Sequence, residues 1–369
     1  MRRILCLALT LLLMHGPAAA SEALTVAAKG AVLIDGESGR ILFAQNENKL
    51  LPEASCTKIM TALLALEHCA LDEEVTAGKN AYGVPGTSIY LSEGETLTME
   101  QMLYGLMLRS GNDAAVAIAE HVAGSVSDFA NLANARAQEL DADASFVNPH
   151  GLDADGHAAS ALGLARIMRE AMKNEDFRTI TSTQKKIIPW VGNEYSRVLE
   201  NKNRLLSTYD GATGGKTGYT SKAGRCLVFS AKRDGMELVG TVLNCPTWFD
   251  TATVMLDYGF DHFRMERAFD EGDEAAQVTV LDGNEASVSA VAGENLASAV
   301  TIGSKPEVKI EAPAVTAPVK KGQVIGRAQL IENGQVVDEC HLLAAEAVEA
   351  WSIGAAFRNV LRRWVLRFA

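Results

Sequence analysis

Ser55-Cys56-Thr57-Lys58 stands at the head of an apolar stretch, KIMTALLALEH, whose spacing predicts a buried helix. Three residues apart, Ser55 and Lys58 share a helical face, so a hydroxyl and an amine lie side by side. An alcohol is a weak nucleophile until a base takes its proton, and a lysine serves when burial or neighbouring cations depress its pKa. The helix N-terminus adds free N–H groups and positive dipole to any anion forming there. By itself the tetrapeptide reads equally well as a capping serine with a surface lysine.

Two more segments carry matching chemistry. Ser110-Gly111-Asn112 falls at a break between two helical stretches, where short polar side chains face a cleft. Lys216-Thr217-Gly218 follows Gly214-Gly215 and leads into a strong strand. On an edge strand it sets a cation and a hydroxyl beside a carboxylate, and its glycine lets a substrate backbone come close. Each triplet alone is noise; their order and separation are specific.

These three motifs resemble those of the serine D-alanyl-D-alanine carboxypeptidases, the low-molecular-mass penicillin-binding proteins. The contexts LPEASCTKIMTALLALE, LMLRSGNDAAVAIAEHVAG and FVNPHGLDADGH are similar too, across about residues 21–263 and more loosely beyond. The resemblance implies a mixed α/β (α+β) fold: a β-lactamase/transpeptidase-like domain with an antiparallel sheet and a helical block. A small all-β domain and a C-terminal amphipathic helix are expected to follow.

The resemblance implies that Ser55 attacks the bond between the two terminal D-alanines of a peptidoglycan stem peptide, with Lys58 as its base. Ser110 would relay a proton to the leaving amine while Lys216 holds the polar network. Asn112 would bind the substrate amide, and Thr217 and Lys216, beside Gly218, its terminal carboxylate. The backbone N–H groups of Ser55 and Tyr219 would form the oxyanion hole. β-Lactam antibiotics would acylate Ser55, and no cofactor is implied. Cys56 departs from the small or hydroxyl residue expected there, and its thiol adjoins the nucleophile.

The elements that must position these groups are legible in part. Residues 30–35 and 40–45 read as a hairpin around Gly36–Gly39, and residues 224–243 as another around Asp234-Gly235. Helices are expected over 98–109, then from a cap at Asn112, over 127–140, 159–172 and 247–263. The N- and C-terminal strands are expected to share one sheet. After Phe263 the composition turns to Ala, Val, Thr and Glu punctuated by prolines, which predicts short strands.

Residues 1–20 pair Arg2 and Arg3 with an apolar run and Ala18-Ala19-Ala20, the pattern of a secretory signal peptide. The division expected is therefore a leader at 1–20, a catalytic domain at 21–263, a β-rich domain at 264–349 and a membrane-anchoring helix at 350–369. That last helix sets Phe357, Val360, Leu361, Trp364 and Phe368 against Arg358, Arg362 and Arg363, the pattern of a helix lying in a lipid interface. The protein is expected on the outer face of the bacterial cytoplasmic membrane.

The chain has 369 residues and a formal charge of −12. The first twenty and last sixteen residues hold six arginines and no acid, so the body is more acidic still. That excludes a nucleic-acid binder, which needs basic surface. Five scattered cysteines beyond the leader are no disulfide framework and are read as reduced, and without CxxC or HExxH no metal site is expected. His150 and His157 are read as parts of a structural loop, Asp113 as favouring a helix N-terminus, and Trp248 and Trp351 as core or interface residues. Two rivals stand: a class A-like β-lactamase, against which the missing E-x-x-L-N counts, and a non-catalytic β-lactam or cell-wall sensor, against which the intact Ser55/Lys58 pair counts.

Overall fold

The computed structural model describes residues 24–352. The leader read at 1–20 and residues 353–369, where the C-terminal helix is expected, lie outside the described residues. Ala350 still pairs with Gly283, and residues 350–352 are not helical, so the start expected at 350 is corrected. Trp351 is largely exposed and not in the core, whereas Trp248 packs on Phe249.

A five-stranded antiparallel sheet carries the first domain. Its strands are β1 (Gly30–Asp35), β2 (Ile41–Gln45), β3 (Ala212–Thr220), β4 (Gly224–Arg233) and β5 (Met236–Leu243), in spatial order β2-β1-β5-β4-β3. The N- and C-terminal strands thus meet, as expected, through β1 against β5. Every residue of β1 is buried because both faces of the sheet are covered. Val32 and Ile34 point into the core beneath the helical block, and Ala31 and Leu33 into the core beneath the helix α7 (Trp248–His262). A sheet buried on both faces shows continuous apolar runs rather than alternation. Gly240 faces Phe229 across the β4–β5 pair, and a Cβ there would lie 2.3 Å from the phenyl ring.

The helical block holds α1 (Lys58–His68), α2 (Met99–Tyr104), α3 (Asn112–Ala123), α4 (Val126–Glu139), α5 (Ala161–Ala171) and α6 (Glu175–Ser182). α1 and α3 are buried along most of their length, so they are apolar nearly all round. α2 begins with a capping box at Thr98 and continues as a widened π-helical turn over Gly105–Arg109. That turn ends at Ser110 in the left-handed conformation (φ 66°). Gly111, not Asn112, is the residue that caps α3: Asn112 is already helical, and its side chain is used elsewhere. α6 and the hairpin of Lys185–Ile188 with Arg197–Glu200 carry no strong sequence signal; the hairpin has an eight-residue loop and only alternate burial.

At Phe263 the helix α7 gives way to strand, opening a β-rich domain with a two-stranded ribbon and a six-stranded sheet around its own core. The two domains meet at the β1–β2 turn. Asp35 accepts from the Ser38 hydroxyl at 2.6 Å and from the Ala299 N–H at 3.1 Å, and Arg40 binds Glu332 at 2.7 Å. All five described cysteines are free, as expected.

Candidate active site

The site is built where α1 begins. Residues Ala54–Thr57 form one 3-10 turn before α1, with Ala54 in the left-handed region (φ 51°). Buried Glu53 accepts from the Thr57 hydroxyl at 3.0 Å and from His157 Nε2 at 2.9 Å. His157 Nδ1 accepts the Val147 N–H, so its proton sits on Nε2. This cluster braces the turn, in keeping with a structural role for His157.

Lys58 lies with no exposed surface, and its Nζ meets three acceptors. These are Ser55 Oγ at 3.1 Å, Asn112 Oδ1 at 2.7 Å and the His150 carbonyl at 2.6 Å. Three acceptors saturate an ammonium. Burial, then the charges of Lys216 and Lys202, hold its pKa well below that of a free lysine. The His150 carbonyl was not foreseen as a partner. It is presented by a loop in which Asn148 Oδ1 accepts from His150 and Gly151, while the neighbouring Pro149 carbonyl accepts from Thr61 on α1. The His150 ring is itself held uncharged, its pKa lowered to about 3 by burial and by Lys58.

Lys216 on the edge strand β3 is also buried; its Nζ donates to Ser110 Oγ at 3.1 Å and to the Thr217 carbonyl at 2.7 Å. Burial, followed by the charge of Lys202, brings its pKa down to about 7, against an opposing pull from Cys56. Ser110 and Asn112 stand two residues apart, so the two amines meet one short segment. Asn112 Nδ2 donates to the Pro85 carbonyl at 2.6 Å, which fixes its amide orientation. Gly86 lies beneath that amide: a Cβ there would sit 2.8 Å from Nδ2.

β3 runs past the turn that carries Ser55. A Cβ on Gly218 would lie 2.7 Å from the Glu53 carbonyl and 3.0 Å from the Ser55 nitrogen, so glycine is what lets strand and turn touch. Thr217 is nearly buried and Tyr219 exposed beside this contact. Cys56 points away, its Sγ 3.5 Å from the Lys216 carbonyl, and burial, then Cys226, pushes its thiol pKa well up. A buried, protonated thiol is no nucleophile. Lys202, which no motif marked, is a third cation: it reaches Thr87 Oγ1 at 3.5 Å, and burial lowers its pKa. Only its place after the 185–200 hairpin brings it here, and a lone lysine offers no sequence signal.

Residues 17–247 match the family described as D-alanyl-D-alanine carboxypeptidase, and residues 263–350 match the C-terminal domain of penicillin-binding protein 5. The chain belongs to the D-alanyl-D-alanine carboxypeptidase family. It is 34% identical over 352 residues to the carboxypeptidase DacF of Bacillus subtilis, covering 91% of this chain and 88% of that one. It is 32% identical to DacC of Escherichia coli, over 89% of this chain and 86% of the relative. A crystal structure of penicillin-binding protein 5 from Haemophilus influenzae superposes with a TM-score of 0.78 at 28% identity, covering 88% of this chain and 98% of that one. The protein is thus a carboxypeptidase with a serine-peptidase fold and a C-terminal all-β domain. Neither a β-lactamase nor a non-catalytic sensor is favoured by these relatives.

In this carboxypeptidase the segment 85–91, which holds Asn112, is clamped from two sides. Asp113 accepts from Ser88 Oγ at 2.5 Å and from the N–H groups of Ile89 and Leu91 at 3.1 and 3.0 Å, which extends its expected role at the helix start. Arg197 donates to the carbonyls of Ile89 and Tyr90 at 2.6 and 2.9 Å and forks onto buried Glu95 at 2.6 and 2.8 Å. Removing one member of a buried pair strands the other charge. Arg197→Met should therefore lower stability by about 3–5 kcal/mol and slow acylation. Urea denaturation with a penicillin-labelling time course checks both; an unchanged midpoint would show that the clamp is dispensable.

Proposed function

We propose that the carboxypeptidase removes the terminal D-alanine of peptidoglycan stem pentapeptides through an acyl-enzyme on Ser55. The observation that carries this reading is the contact of Ser55 Oγ with Lys58 Nζ at 3.1 Å, where burial depresses the lysine pKa. Neutral Lys58 takes the Ser55 proton as Oγ bonds to the carbonyl carbon of the penultimate residue. The N–H groups of Ser55 and Tyr219 hold the resulting oxyanion; such a donor is typically worth roughly 10²–10³ in rate. The C–N bond then breaks, and the departing amine takes a proton through Ser110 from Lys216. Lys58 then loses its extra proton to solvent and Lys216 regains one, which restores both. Water gives a proton to neutral Lys58 as its oxygen bonds to the acyl carbon, and Lys58 passes that proton to Ser55 Oγ as the ester C–O bond breaks.

Asn112 has one amide N–H left for the substrate backbone, and Thr217, Lys216 and Lys202 offer the hydroxyl and positive field that a terminal carboxylate needs in an acidic protein. β-Lactams would acylate the same oxygen. We further propose the division into a leader at 1–20, a catalytic domain at 21–263, a β-rich domain at 264–349 and a C-terminal foot to 369. The leader pattern supports export, and the arginine-rich amphipathic sequence at 354–369 supports a place on the outer face of the cytoplasmic membrane.

Ser55→Ala should abolish D-alanine release and the penicillin adduct seen by intact-protein mass spectrometry, whereas Cys56→Ser should keep both. Labelling that survives in the first variant and vanishes in the second would move the nucleophile to the thiol.

Lys58 must be neutral and Lys216 charged, so kcat/KM should rise on the acid side as Lys58 loses its proton and fall as pH passes about 7, where Lys216 titrates. Lys216→Arg, which does not titrate in this range, should remove the alkaline limb. A flat profile, or an alkaline limb unmoved in that variant, would contradict these two roles.

Deleting residues 354–369 should release the exported protein from sedimented anionic phospholipid vesicles. A truncated protein that still sediments with them would refute the foot.

A further inference from the structure

At the end of the helical block remote from Ser55, three metal-ligating side chains from separate segments converge. Cys69 closes α1, His121 lies in the last turn of α3, and Glu73 stands between α1 and the short strand at Glu74–Thr76. The Cys69 Sγ, a Glu73 carboxylate oxygen and a His121 ring nitrogen all lie within 4.8 Å of one another. We propose that Cys69, Glu73 and His121 bind a divalent transition-metal ion of the zinc type, with a fourth position left to water.

The donor set is that of a borderline-soft cation: one thiolate, one imidazole and one carboxylate, with zinc–ligand bonds of about 2.0–2.3 Å. The three atoms, now within 4.8 Å of one another, would close onto a tetrahedron of that size by side-chain rotation as the ion binds. Two ligands are already oriented. Glu73 Oε1 and His121 Nε2 share a hydrogen bond of 2.8 Å, and the Glu73 backbone is tied to Ala70 and Met99. The group also sits where two helices end. Cys69 donates its N–H to the Ala65 carbonyl at the close of α1, and Gly124 does the same to Glu120 just after His121. Helix C-termini present unpaired carbonyls and the negative end of the dipole, which favour a cation. Binding through a thiolate displaces the proton of the Cys69 thiol to solvent.

Such an ion joins the far ends of α1 and α3, whose near ends carry Lys58 and Asn112, and it takes no part in acyl transfer. Its effect is on stability, by binding the folded state. Searches for CxxC or HExxH pass over the group because Cys69 and Glu73, four residues apart, match neither pattern and His121 lies far along the chain.

The test uses the full chain with Co²⁺ and Zn²⁺ as probes. Co²⁺ should bind once per chain and give a near-ultraviolet thiolate-to-metal band that Zn²⁺ erases. At about ten times its Kd, Zn²⁺ should slow alkylation of Cys69 by iodoacetamide about tenfold, by mass action. Cys69→Ser should lose the band and His121→Asn should lose the protection, while both variants still acylate with penicillin, which shows that they are folded. The proposal is overturned if Co²⁺ binds without the band, if Zn²⁺ leaves alkylation unchanged, or if Cys69→Ser binds both ions as the parent does.

Discussion

Two ammonium groups taken out of water dominate this molecule. Lys58 and Lys216 are both essentially inaccessible, yet among the described residues no carboxylate pairs with either: their partners are carbonyls, hydroxyls and one amide oxygen. An unpaired buried charge is costly, and the protein meets that cost by letting the charged form become less stable. A carboxylate partner would have kept both amines charged, which the proposed role of Lys58 as a base does not allow. Neutral acceptors leave it free to exchange a proton with Ser55.

That choice dictates much of the surrounding backbone. Neutral acceptors must be aimed, so loops that look irregular are held from several sides. Asn148 gathers the N–H groups of residues 150 and 151, and the carbonyl between them turns toward Lys58. Asp113 and Arg197 grip the N–H and C=O sides of the segment 88–91, and the neighbouring carbonyls of Pro85 and Thr87 reach Asn112. Glycines at 86 and 218 are placed where a Cβ would crowd the Asn112 amide or part a strand from the turn that carries Ser55. The buried Arg197–Glu95 pair anchors one loop to the next, and its desolvation is offset by five donor contacts from one guanidinium.

The second domain is tied on by polar contacts beside a shared apolar seam, where Ala299 packs in the same core as Ala31 and Leu33. Asp35 serves both its own turn and the Ala299 N–H of the β-rich domain, and Arg40 reaches across to Glu332 and the Ala299 carbonyl. The turn that closes the first hairpin of the sheet is thereby also the joint, which fixes the β-rich domain to the most buried strand of the catalytic one.

Local physics made several things legible in the chain itself. Ser55-x-x-Lys58 places two groups on one helical face at any helix start; Asp234-Gly235 closes a two-residue hairpin whose register follows from the turn; the apolar runs of α1 and α3 announce buried helices. Tertiary structure alone decided the rest, because it depends on segments far apart in sequence. The side chain of Asn112 reads as a cap in the sequence, but α1 supplies an ammonium that holds it; Cys56 adjoins Ser55 in the chain, but the sheet draws its sulfur toward the Lys216 carbonyl. His150 contributes through its backbone carbonyl, and Lys202 enters the cleft from a hairpin with no motif of its own. A sequence names which groups can react, but the field that sets their protonation is a sum over neighbours that only the folded chain brings together.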